Sequence, residues 1–172
     1  MCIEKSCCFF GHRKIEYTEE LEKKIYTNAE RLLLSENVNV KTFYFGSKSE
    51  FNSLCLRTVT KLKEKYPEIK RVYIRAEYPY INDSYRDYLL EDYEDTYFPE
   101  KAINAGRARY VERNREMIDK SDFCIVYCKE DYEPSPRKYS KRDFFEYQPK
   151  SGTKIAYDYA KKKKKIIINL YE

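Results

Sequence analysis

Ser6-Cys7-Cys8-Phe9-Phe10-Gly11-His12-Arg13 is the stretch from which the fold is read. Its apolar run does not alternate with polar residues. A strand with one wet face alternates, so this run describes a strand buried on both faces. Gly11-His12-Arg13 then ends it in a loop. Thr18 precedes Glu19 and Glu20, an N-cap followed by acids in a first helical turn. Leu21, Ile25, Ala29 and Leu32 follow at helical spacing. A doubly buried strand that runs into an amphipathic helix is the opening of a β-α-β unit.

The pattern repeats down the chain. Residues 38–45 are rich in Val, Phe and Tyr and read as a second strand, broken at Gly46. Ser47 and Glu50 fit a capping box, with the Ser hydroxyl on the Glu50 amide and the Glu side chain reaching back. Phe51, Leu54, Cys55, Thr58 and Leu62 continue one helical face, and Pro67 follows its end. Residues 72–76 form a third strand. Residues 77–104 are polar and Tyr-rich, with one short helix near 83–90 and otherwise loops; a connection this long signals a lid, a partner surface or a further element. Residues 105–120 read as a helix with Ala108, Val111, Met117 and Ile118 as its apolar positions. Residues 122–128 are the fourth strand. A charged stretch at 129–150, carrying Pro134, Pro136 and Pro149, is expected to be an exposed, mobile loop. Ser151-Gly152-Thr153 opens a last helix, with Ile155, Ala156 and Tyr159 inward, and Ile166, Ile167, Ile168 and Leu170 make the final strand.

Strands that alternate with helices imply a Rossmann-like three-layer α/β/α domain spanning residues 1–172. Its mostly parallel sheet has about five strands in the order 3-2-1-4-5. Right-handed crossovers place every β-to-α loop at one edge of that sheet, where ligands bind at the switch of strand order.

Composition narrows the function classes. Apolar residues make up 42%, too many for a disordered chain. With 34 basic and 29 acidic residues the net charge is only +5, which permits an anionic ligand without describing a dedicated nucleic-acid binder. Cys2, Cys7, Cys8, Cys55, Cys124 and Cys128 form no Cys-x-x-Cys pair, and His12 is the sole histidine. Reduced thiols, no metal, no cofactor and a cytoplasmic location are the expectation. No signal pattern or run of ~20 apolar residues points to a membrane. The lysines at 161–165 close the last helix, where cations offset its dipole, away from the loop cluster.

Three β-to-α loops hold the candidate ligand-binding residues. Gly11, His12 and Arg13 offer a close backbone approach and groups for phosphate or base; the same residues also describe a surface turn. Gly46, Ser47, Ser49, Phe51 and Asn52 stand at a helix start, where free amides attract anions; an ordinary Ser-capped helix has the same sequence. Ser151, Gly152 and Thr153 repeat that arrangement. Arg109 and Arg113 are one turn apart on the preceding helix, with Asn114 beside them; a solvated face paired with Glu112 and Glu116 is the alternative.

These motifs resemble a family. Cys-Cys-Phe-Phe-Gly-His-Arg at 7–13 resembles the opening of the bacterial SLOG superfamily, in its branch of proteins of unknown function (DUF1273, YoqJ-like). Residues 42–52 resemble that branch's glycine-rich second loop followed by Phe-Asp. Residues 112–122 resemble its Arg-Asn helix running into a Ser-Asp-led strand. Residues 151–160 and the strand after them resemble its final helix start and strand. The resemblance implies a Rossmann-like fold that binds nucleotides or nucleotide-derived ligands. By position it assigns Gly11, His12 and Arg13 to the first loop, Gly46, Ser49, Phe51 and Asn52 to the second, and Gly152 and Thr153 to the last. Relatives in that superfamily include phosphoribohydrolases, DNA-processing proteins of the DprA type and sensor domains.

Ser49 stands where the branch has Gly, and Asn52 where it has Asp. The phosphoribohydrolases carry a Glu after their last Gly-rich loop, but Ala156 and Tyr157 occupy that region here. A hydrolase needs a carboxylate near the scissile bond, and Glu77 is the substitute the sequence offers as a catalytic residue. The leading expectation is a binding module for a nucleotide-derived small molecule, acting as sensor or sequestering protein. An N-glycosidase using Glu77 and a single-strand DNA binder are the alternatives. Tyr-rich loops add the expectation of a homodimer.

Overall fold

A computed structural model describes residues 3–171; Cys2, the first cysteine noted above, lies outside them. Strand β1 (Lys5–Gly11) leads to α1 (Glu19–Leu34), β2 (Val40–Phe45), α2 (Glu50–Lys65) and β3 (Lys70–Ile74). A short α3 (Asp83–Leu89) precedes β4 (Asp95–Tyr97). The chain closes with α4 (Arg109–Asp119), β5 (Phe123–Tyr127), α5 (Gly152–Lys162) and β6 (Ile166–Asn169). All six strands are parallel, in the order β4-β3-β2-β1-β5-β6.

β1 lies at the centre because nothing in it demands water: Cys7, Cys8, Phe9 and Phe10 are buried. Side chains alternate across a strand, so Cys7 and Phe9 face one layer and Cys8 and Phe10 the other. On the first side Phe9 stacks between Phe43 and Phe45, at 5.8 and 5.1 Å, beneath α1 and α2. On the second side Cys8 and Phe10 join Val126, Met117, Ile118 and Ala156, beneath α4 and α5. Each fully buried ring or branched chain contributes roughly 1.5–3 kcal/mol. Two cores on one sheet are the three layers read from the sequence.

Several particulars differ from the expectation. β4 is an added edge strand inside the stretch taken as loop. Only Thr96 of its three residues is buried, so no hydrophobic period announces it. It is held by backbone pairing and by Glu94, whose carboxylate accepts from the Arg71 amide at 2.6 Å and from the Arg71 guanidinium at 2.9 and 3.1 Å. With β4 removed the order is the one expected. The cap of α2 is Ser49, whose hydroxyl accepts from the Asn52 amide at 3.1 Å; Ser47 instead accepts from the Ser49 amide. Glu50 does not reach back either, because its carboxylate takes the Ile15 amide at 2.8 Å. α4 begins at Arg109, after a 3-10 turn at Gly106–Ala108, and Ala108 is exposed. In α5 the buried residues are Ala156, Tyr157 and Ala160, while Ile155 and Tyr159 are half-buried. Residues 129–150 form an exposed excursion with one antiparallel bridge, Arg137 to Tyr147, and stacked Tyr139 and Tyr147 rings. The five described cysteines are free thiols. No helix among the described residues is long and apolar enough to cross a membrane.

Candidate functional site

The carboxyl ends of β1, β2, β3 and β5 open onto one cleft of about 870 Å³. β1 sits where the chain order reverses, between β2 and β5, so the loops on either side splay apart and leave a crevice. Gly11, His12, Arg13, Gly46, Ser47, Ser49, Glu77, Arg113, Asn114, Ser151, Gly152 and Thr153 all line it. Four loops and a helix far apart in sequence are thereby brought together.

Phe51 and Asn52 are not in the cleft; they build its floor. Phe51 is fully buried, stacked on Tyr127 at 5.7 Å. Asn52 donates to the Phe9 carbonyl at 3.1 Å and accepts from the Gly46 amide at 3.3 Å, strapping the end of β1 to the end of β2. Arg13 is exposed at the mouth, its carbonyl accepting from the Glu50 amide.

Among the lysines and arginines that line the cleft, Arg113 is the buried one. It is 4% exposed, and its guanidinium donates to the Gly46 carbonyl and to Asn114 Oδ1. It has no carboxylate partner among the described residues. The acids expected beside it are engaged elsewhere: Glu112 with Arg115 at 3.0 Å, and Glu116 with Tyr97 and Lys120. Burial pushes the Arg113 guanidinium down to about 10, so it remains a cation at neutral pH. A buried charge normally finds a countercharge. Among the described residues the one remaining amino nitrogen has no hydrogen-bond partner, and Arg113 lines the cleft.

His12 is set differently. Its Nε2 accepts from the Lys129 amide at 2.7 Å, which assigns the ring proton to Nδ1. Its ring lies against Tyr132 at 4.8 Å. Desolvation, then the nearby Lys129, lowers its pKa, so it is neutral above mildly acidic pH. His12 therefore ties the excursion at 129–150 to the end of β1.

On the far wall Glu77 meets two residues the sequence did not single out. Tyr110 donates its hydroxyl to Glu77 Oε1 at 2.7 Å, and Lys48 Nζ lies 3.4 Å from Oε2. The Tyr110 hydrogen bond, with Lys48 and Arg109 nearby, holds the Glu77 carboxyl below its ordinary value. A signal for Tyr110 existed, since it precedes Arg113 by three positions and so shares its helix face. Arg113 itself precedes the buried Met117 by four, on the core stripe of α4.

The chain matches no model of a known protein family and no curated protein. The site stands on its geometry. Six of the charged residues that line the cleft are basic and two, Glu16 and Glu77, are acidic. The start of α5 faces the same space, and a Cβ added at Gly152 would meet nothing within 4 Å. First-turn amides have no intrahelical partner and present positive ends to the cleft. No group of three or more metal-ligating side chains occurs among the described residues. The arrangement fits an anion bound between a buried arginine and a helix start.

Proposed function

We propose that this cleft binds a nucleotide or nucleotide-derived ligand through its phosphate, as a sensor or sequestering module, in keeping with the resemblance to the SLOG superfamily. The observation that carries the reading is Arg113: a cation held at the cleft floor at 4% exposure without a carboxylate partner. A phosphate supplies the missing countercharge and accepts from the guanidinium in two parallel bonds. The α5 amides and Ser151 to Thr153 close on it from the other side. Calorimetric titration with a nucleotide panel tests this. The expected result is saturable binding by phosphorylated ligands, lost in Arg113→Met and weakened less in Arg13→Ala, since Arg13 is at the mouth. No binding by any phosphorylated ligand ends the proposal.

A hydrolase reading draws on Glu77, which lines the same cleft. An acid catalyst is held with a raised pKa, whereas Tyr110 and Lys48 lower that of Glu77. Glu77 thus serves as acceptor or nucleophile and gives no proton to a leaving base. Chromatography of the ligand after incubation separates the two readings: an intact ligand supports the binding module, and a released base supports the hydrolase.

A further inference from the structure

We propose that Glu77 recognises ribose, its carboxylate accepting from the 2′- and 3′-hydroxyls of a ribonucleoside phosphate whose phosphate lies against Arg113. This rests on the phosphate reading above and names the class of ligand.

The cleft is lined by six basic residues and by Glu16 and Glu77, and Glu77 is held by Tyr110, whose ring lies beside Arg113. A carboxylate so placed suits a ligand that carries donors as well as a phosphate. Glu77 is one-third exposed and fixed rather than loose, with Tyr110 on one oxygen and Lys48 beside the other. A carboxylate accepts about four hydrogen bonds, so each oxygen keeps capacity for another. Kept ionised by those neighbours, it is an acceptor only. A vicinal diol offers two adjacent O–H donors, one for each oxygen. The phosphate and diol subsites are joined by one side chain. The Tyr110 ring lies 5.9 Å from the Arg113 guanidinium, and its hydroxyl holds Glu77. Tyr110 is thus a positioning residue for both.

The test uses the full chain, the four ribonucleoside 5′-monophosphates, their 2′-deoxy counterparts and inorganic phosphate. Ribose forms are expected to bind about tenfold or more tightly than deoxy forms, the worth of a hydrogen bond to a charged acceptor. Glu77→Gln should erase that ratio and bind inorganic phosphate at least as tightly, because a negative charge leaves the cleft. Tyr110→Phe should shrink the ratio severalfold. Thermal melting of each variant reports whether it folds. Equal binding of ribose and deoxy forms overturns the proposal and leaves the phosphate reading intact. So does a preference that follows the base and survives in Glu77→Gln. Failure of every nucleotide and of phosphate to bind overturns both.

Discussion

Arg113→Met separates a functional arginine from a structural one. Methionine has nearly the same length and no charge. Burial shifts the Arg113 guanidinium from 12.5 to about 10, and the difference corresponds to roughly 3 kcal/mol against the charged form. The folded pKa lies below the unfolded one, so this cost is present in full at every pH below about 10, and methionine removes it. Against that, the Gly46 carbonyl loses its donor at a cost of about 1–3 kcal/mol, while half-buried Asn114 turns to water. The terms nearly cancel, and the variant should lie within about 2 kcal/mol of the parent. For a chain of this size that is a melting shift under roughly 8 °C. Affinity for a phosphorylated ligand should fall at least tenfold for each charge-assisted bond lost. Urea denaturation and calorimetric titration measure the two effects. If stability drops by more than about 4 kcal/mol, as when one partner of a buried ion pair is deleted, Arg113 is a structural strut. If the variant binds as well as the parent, the phosphate site lies elsewhere.

Gly11→Ala should destabilise by about 1–3 kcal/mol or more, measured by urea denaturation, because its Cβ would sit 2.5 Å from the fully buried Phe51 ring. Gly46→Ala should abolish ligand binding in calorimetry even where it folds, since its Cβ would lie 2.6 Å from Arg113 Cδ and must displace that side chain. His12 is the sole histidine, and its folded pKa lies below the ordinary 6.5. As pH falls below about 6.5 the unfolded chain takes up its proton first, so stability should decline there; melting curves of His12→Gln should show a flatter pH dependence. The five described cysteines are buried, so in a thiol-reagent assay they should react only as fast as the protein opens; rapid labelling of the native protein would contradict that burial.

Sequence reading succeeded wherever burial and period coincide. β1 is apolar without alternation, and its central place follows from that alone. The caps at Thr18 and Ser151 were legible because one hydroxyl stands before one helical stripe. At α2 two hydroxyls compete, Ser47 and Ser49, each three positions before a plausible partner. The choice falls to Ser49 because Glu50 is drawn away to the Ile15 amide, a long-range contact that local sequence does not contain. β4 was illegible for a related reason, since its pairing depends on Glu94 and Arg71, twenty-three positions apart. Of the candidate site, the loops were visible, and Arg113 stood among the candidates beside Arg109 and Asn114, with a solvated face as its alternative. Arg13 stands in the conspicuous loop, yet it is exposed; Arg113 stands in a helix among other charges, and only the phase shared with Met117 marks it as inward.

The glycines alter how such a loop signature is to be understood. In sequence, Gly11 and Gly46 look like places where a ligand approaches bare backbone. In the structure their missing side chains are spaces already occupied, by the Phe51 ring and by the Arg113 side chain. Neither has a positive φ that would require glycine on conformational grounds; among the glycines, Gly106 alone does. What glycine supplies at these two positions is close packing, which brings α2 onto the end of β1 and lets an arginine from α4 cross to the end of β2. On the proposed phosphate reading, a ligand would meet the arginine that Gly46 admits rather than the bare backbone of Gly46. Gly152 is the opposite case, open on the side where a Cβ would stand, and it is the glycine of the three loops whose backbone faces free space. A loop glycine is thus evidence for a site only after one asks what fills the space beside it. In this fold two of the three act through packing, by seating Phe51 and Arg113, and one stands open at the start of α5.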